Sequence, residues 1–148
     1  MTDYKLMVKQ AEELTKDTSD LVSILANTSA LIFYSMSDVN WAGFYLVRGD
    51  ELLVGPFQGK VACAVIKKGR GVCGTAWEKD ELQLVPDVHA FPGHIACDCD
   101  SNSEIVVPIH RDGKVCAVLD IDSPIPNRFT EVDAAGLSEL VGALEEVL

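Results

Sequence analysis

The chain has 148 residues, 48% of them apolar and 24% charged, the profile of one soluble globular domain spanning 1–148 and not of a disordered segment. Twelve Lys+Arg against 23 Asp+Glu give a formal net charge of −11, which speaks against nucleic acid and anionic membrane surfaces as partners. No apolar run approaches the ~18 residues of a membrane span, and the opening MTDYKLMVKQ lacks the apolar stretch of a secretory signal.

In chain order, Tyr4, Met7, Ala11 and Leu14 recur at spacings of 3 and 4 and predict a first helix. Thr18-Ser19-Asp20 interrupts it. A second helix follows on Leu21, Ile24, Leu25, Leu31 and Ile32 and ends between Ser35 and Asn40. WAGFYLV (41–47), ELLVGPF (51–57) and VACAVIK (61–67) are short apolar stretches joined by Gly-containing turns, the pattern of an antiparallel meander. GRGVCG (69–74) reads as a Gly-rich bend leading into a short helix around TAWEKDE, and LQLV (82–85) as a strand stopped by Pro86. Residues 86–103 form a long polar loop with two histidines and two cysteines. EIVVPIH (104–110) and KVCAVLDID (114–122) bracket Arg111-Asp112-Gly113 as a hairpin. A last helix starts from a capping box of Thr130 and Asp133 and carries the stripe Val132, Leu137, Leu140, Val141, Leu144 and Val147. Helices at both ends and strands between predict an α+β domain with the helices packed on a mostly antiparallel sheet.

Five cysteines, an odd number, together with the absence of a leader-like stretch, point to a reducing, cytoplasmic setting. Thiols there serve metal binding, nucleophilic catalysis or redox chemistry, or are simply buried. Zinc needs about four N/S ligands at recurring spacings. There is no C-x-x-C, and Cys97-Asp98-Cys99 is tight for a finger loop even with His89 and His94 nearby; no metal is expected. Gly69-Arg70-Gly71-Val72-Cys73-Gly74 matches G-x-G-x-x-G, but the following helix is too short for a dinucleotide-binding unit. A Gly-rich turn permitting positive φ and close packing is the better reading, and no cofactor is expected.

Redox chemistry suits the thiols better. Cys97 lies in the polar loop GHIACDCDS, where it can reach a substrate. Cys73 stands at the start of a predicted helix, whose dipole favours a thiolate. Cys63 falls in an alternating strand and could be core, and Cys116, between Val115 and Ala117, reads as buried. Asp120 and Asp122 share one strand face, and Glu104 lies at the same end of the hairpin ladder. Such a trio could bind an amine, act as acid or base, or simply be solvated strand ends. Trp41 and Tyr45 give one aromatic face, for a pocket or for core packing.

The set NWAGFY (40–45), VAC (61–63), GRGVCGTA (69–76), DVHAFPGHIACD (87–98), SNSEIVVPI (101–109) and VLDIDSP (118–124), in that order, resembles the free methionine-(R)-sulfoxide reductases. These are small enzymes with the GAF fold. The resemblance runs from about residue 20 to the end. It implies a GAF-like α+β fold with both terminal helices on one sheet face. It also implies thiol-dependent reduction of free L-methionine-(R)-sulfoxide. Cys97 matches the family's nucleophile, Cys63 its principal resolving thiol, and Cys73 its third cysteine, which resolves or attacks. Trp41 matches the residue bordering the sulfoxide methyl, and Glu104, Asp120 and Asp122 match acids around the substrate. Glu104 and Asp122 are candidate proton donors and Asp120 a partner for the α-amine. Tyr45 is a further pocket candidate, and backbone N–H groups around Ile95, Ala96 and Cys97 could take the α-carboxylate as a nest would. The implied cycle runs through a cysteine sulfenic acid and an intramolecular disulfide reopened by a thioredoxin-type reductant. Cys99, outside the trio, could offer Cys97 an alternative disulfide. A homodimer through the terminal helices is compatible with the fold. The alternative is a GAF module that binds a small ligand or senses redox state without turnover.

Overall fold

Side-chain caps start the first two helices. Asp3 accepts from the Leu6 N–H at 3.0 Å at the start of α1 (Tyr4–Thr15), and Asp20 accepts from the Ser23 N–H at 3.0 Å at the start of α2 (Leu21–Ser35). The computed structural model describes residues 1–93 and 100–148. Six strands follow in it: β1 (Trp41–Arg48), β2 (Glu51–Gly59), β3 (Val65–Lys67), β4 (Gln83–Val85), β5 (Ser103–Arg111) and β6 (Lys114–Ser123). A short helix, α3 (Gly71–Lys79), lies between β3 and β4, and α4 (Glu131–Glu145) closes the chain. The sheet order is β3-β2-β1-β6-β5-β4, with every pairing antiparallel.

The sheet has two buried faces because its central strands alternate two apolar sets. Ala42 and Phe44 of β1, Ile105, Val107 and Ile109 of β5, and Ala117, Leu119 and Ile121 of β6 meet Met7, Ile24, Leu25, Leu137 and Leu140 of the helices. The layer of α1, α2 and α4 therefore covers one face, as expected. Trp41, Tyr45, Val106 and Val118 line the other face and pack with Val72, Cys73, Ala76 and Trp77 of α3. The second face carries the acids.

Two expectations need correction. VACAVIK predicts one strand, yet only Val65–Lys67 pairs with β2, and residues 61–64 follow an irregular path. The cause lies in β2. The Val54 N–H donates toward β3, to the Ala64 carbonyl at 3.0 Å; just beyond it the β1–β2 register shifts, so that Gly55 and Pro56 form a bulge where the β2–β3 pairing has ended. The helix expected around TAWEKDE begins earlier, at Gly71, and so includes Cys73.

The Thr130–Asp133 capping box is present, with the Thr130 N–H donating to Asp133 at 2.8 Å. The same carboxylate accepts from the Tyr4 hydroxyl at 2.6 Å, which fixes α1 against α4. At the opposite end of the sheet from the acids, His110 of β5 bonds Asp80 at the end of α3 at 2.6 Å and Glu145 of α4 at 2.9 Å. Burial alone would lower its pKa, but these two carboxylates outweigh that and raise it.

Two glycines of α4 separate helix propensity from packing. A Cβ at Gly136 would fall 2.2 Å from Cγ of Tyr4, whereas one at Gly142 would meet nothing within 4 Å. Gly136→Ala is expected to lower stability by about 1–3 kcal/mol through overpacking. Gly142→Ala is expected to raise it by up to about 1 kcal/mol through helix propensity. Urea unfolding midpoints of the two variants check this, and shifts of the same sign would contradict it.

Candidate active site

Strand register builds the site. Trp41 of β1 pairs with Asp122 of β6, and Asp122 pairs with Glu104 of β5. One row across three strands thus sets an indole beside two acids. In the next row on the same face, Gly43, Asp120 and Val106 are aligned. Period-two alternation sends these side chains to the α3 face. There Trp41, Tyr45, Cys73, Glu104, Asp120 and Asp122 line a single pocket, closed on other sides by Val61, Ala62, Arg70, Val72 and Ser101.

The aromatic wall is stacked. Trp41 lies 5.0 Å from Phe57 at 16° and 5.9 Å from Tyr45 at 25°, measured between ring centroids and planes. Both polar handles of this wall are committed to backbone: the Trp41 Nε1–H donates to the Lys60 carbonyl and the Tyr45 hydroxyl to the Cys63 carbonyl, each at 3.0 Å. Tyr45 therefore offers the pocket its ring and not its hydroxyl. Burial, then Asp120, Cys73, Asp122 and Glu104, push that hydroxyl's pKa up, so it stays a donor.

The acids are buried together, Glu104 at 7% and Asp120 at 5% relative exposure. Adjacent buried carboxyls cannot all ionise. Burial, followed by Asp120 and Asp122, pushes Glu104 well above the usual carboxylate range. Burial raises Asp120 too, although contacts with Glu104, Cys73 and Asp122 favour its ionised form. Both carboxyls are thus pushed toward the protonated form, and the cluster retains a proton above the ordinary carboxylate range. Asp120 Oδ1 is buried without a hydrogen-bond partner among the described residues, so it has an open acceptor position in the pocket.

Cys73 corrects an expectation. It does sit in the first turn of α3, but it is 4% exposed. Burial, then Asp120, Glu104 and Asp122, push its thiol well up. These effects outweigh the helix dipole, worth at most about 2 kcal/mol, so Cys73 rests as a thiol. Cys63 is disulfide-bonded, half-buried on the irregular 61–64 path and not in the expected strand. Cys116 is a free thiol, less buried than expected. Cys97, Ile95, Ala96 and Cys99 lie outside the described residues.

Cys73, Glu104 and Asp120 each bring a donor atom within 4.8 Å of the others, a spacing that could hold a metal ion. Metal ligation needs deprotonated donors, whereas this environment favours the protonated forms of Cys73 and Glu104; the set suits proton sharing better. The Gly-rich motif turns at its start and then opens α3, with Gly69 at φ +78° and Gly71 at φ +62°. The sequence reading missed Arg70, the one cation among the described lining residues. Its signal was a lone basic residue inside a Gly-rich turn next to a candidate thiol.

The chain matches the family profile of the GAF domain over residues 12–148. It is 54% identical over 145 residues to an Escherichia coli protein named free methionine-R-sulfoxide reductase, covering 98% of this chain and 88% of that protein. A Saccharomyces cerevisiae protein of the same name is 48% identical over 137 residues, covering 87% of this chain and 76% of that one. The fold superposes on the structure of fRMsr of Staphylococcus aureus in complex with substrate at a TM-score of 0.96 and 49% identity, covering 100% of this chain and 97% of that one. No helix among the described residues is long and apolar enough to cross a membrane. A two-faced antiparallel sheet with acids, aromatics and a thiol on its α3 face, matched at this depth, makes the chain a member of the GAF domain family, in the group that includes these free methionine-R-sulfoxide reductases.

Proposed function

We propose that this chain reduces free methionine-(R)-sulfoxide to methionine. The observation that carries the reading is the buried acid cluster beside a stacked aromatic wall, in a pocket that Cys73 also lines. Reducing a sulfoxide requires a thiol to attack sulfur and an acid to protonate the departing oxygen. The roles of Cys97, Ile95 and Ala96 rest on the resemblance to the family.

In this account the sulfoxide methyl packs on Trp41, and Asp120 takes the α-amine at its open acceptor position. The α-carboxylate meets backbone N–H groups around Ile95, Ala96 and Cys97, with Arg70 facing it across the pocket. The Cys97 thiolate attacks the sulfoxide sulfur while Glu104, with Asp122 beside it, gives its proton to the oxygen. The net step is Cys97–SH plus sulfoxide giving Cys97–SOH plus methionine. Cys63–SH then displaces the sulfenic hydroxyl as water and forms the Cys63–Cys97 disulfide. A thioredoxin-type dithiol reopens it by exchange, becoming a disulfide itself. Cys73, a neutral buried thiol, fits a reserve resolving role better than the first attack.

Selectivity for the free amino acid follows from charge. A peptide-bound residue lacks the ammonium, which leaves the buried Asp120 unpaired. Free R-sulfoxide is expected to be turned over, and the N-acetyl, amide-capped form to be poorer by about 10⁴-fold in kcat/KM. A thioredoxin-recycling assay on separated R and S epimers checks this. No turnover of any form by fully reduced protein would favour the ligand-binding alternative.

Glu104→Gln is expected to lower kcat/KM by about 10²–10⁴-fold, the usual worth of a general acid. It should also stabilise the fold at neutral pH. Native Glu104 binds its proton more tightly than unfolded Glu does, so its contribution is full at low pH. That contribution is lost as pH rises from the ordinary carboxylate range to the raised native value. The variant's advantage should grow across that window by at most about 1.4 kcal/mol per pH unit. Denaturant midpoints against pH read this out, and a pH-independent difference would contradict the proton-holding role.

A further inference from the structure

We propose that Phe57 is a positioning residue for the substrate: it sets the tilt at which the Trp41 indole meets the sulfoxide methyl. The inference rests on the sulfoxide-reductase reading and adds to it a residue outside the pocket.

Register places the two rings side by side. Phe57 of β2 pairs with Gly43 of β1, and Gly59, two residues on, pairs with Trp41. Paired residues share a sheet face, so Phe57 and Trp41 are diagonal neighbours on the α3 face. Neither glycine puts a side chain between them. A Cβ at Gly43 would fall 2.2 Å from the Phe57 Cβ, and one at Gly59 would fall 2.7 Å from Trp41 Cδ1. The rings take up the space those side chains would need. They stack with centroids 5.0 Å apart at 16°, closer and flatter than the stack of Trp41 on Tyr45.

Both partners are anchored from elsewhere. Next to Phe57, the Pro56 carbonyl accepts from the Ser29 hydroxyl of α2 at 3.1 Å, which ties this part of β2 to the helical layer. The Trp41 Nε1–H donates to the Lys60 carbonyl at 3.0 Å. That one hydrogen bond fixes an edge of the indole and leaves its tilt to packing, which Phe57 supplies. Phe57 is not among the described residues that line the pocket, so it acts on the substrate through Trp41. A methyl contact is made by bound substrate and transition state alike. Weakening it therefore raises KM and leaves kcat unchanged.

The test is Phe57→Leu, which keeps an apolar side chain and removes the stacked ring. KM for the free R-sulfoxide is expected to rise about 2–10-fold, the worth of an aromatic pair, with kcat at the parent value. Phe57→Tyr keeps the ring and should keep the parent KM; it also serves if Phe57→Leu does not fold. A second readout needs no turnover. The chain has two tryptophans, so a Trp77→Phe background leaves Trp41 as the sole emitter. In that background Phe57→Leu should shift Trp41 emission to the red and raise its quenching by acrylamide. Such a shift in a protein that turns over no sulfoxide would support the positioning role while the function reading fails. Trp41 emission and quenching at parent values in Phe57→Leu, or a loosened indole with an unchanged KM in an active protein, would overturn the inference. A fall in kcat shared equally by Phe57→Leu and Phe57→Tyr would overturn it as well.

Discussion

A buried proton shared among carboxyls is the constraint on which the site depends. Glu104 and Asp122 face each other across β5 and β6, with Asp120 two residues away on the same face. Because Glu104 and Asp120 are both buried, full ionisation would set like charges together in a poorly solvated corner. One proton therefore stays. Burial first, and then the same negative field, keep Tyr45 and Cys73 protonated. The pocket thus rests with a proton held among its carboxyls and a neutral thiol at Cys73, and a stored acid is what sulfoxide reduction requires.

The architecture separates this costly chemistry from stability. The face toward α1, α2 and α4 is apolar and carries the main core, while the face toward α3 mixes aromatics, acids and Cys73. Residues such as Phe44 and Leu119 fix the register of β1 and β6 from behind. That register is what aligns Trp41, Asp122 and Glu104. A slip of one residue would send the acids into the apolar layer, so the packing of the helical face specifies the geometry of the other.

Much of this was legible in the sequence because it is local. Alternation placed Asp120 and Asp122 on one face, the turn at 111–113 set Glu104 opposite them, and Thr130 and Asp133 marked the start of α4. What was not legible depends on partners distant in the chain. VACAVIK alternates like a strand, but its pairing with β2 ends next to the bulge at Gly55 and Pro56, and the Tyr45 hydroxyl takes the Cys63 carbonyl. Cys73 opens a helix, as expected, yet its burial under the sheet and acids some 30 to 50 residues later set its protonation state. Arg70 looked like part of a turn until α3 placed that turn at the pocket rim. The order of motifs carried the family, and the strand register carried the site.

The most direct test of the shared proton is infrared difference spectroscopy on the reduced protein, with Glu104→Gln to assign the protonated-carboxyl stretch. A protonated carboxyl that persists at pH 7 and disappears in the variant is the result expected here. All pocket carboxyls titrating within about one unit of the ordinary value near 4 would contradict the account, because no stored acid would then be present to protonate the departing oxygen.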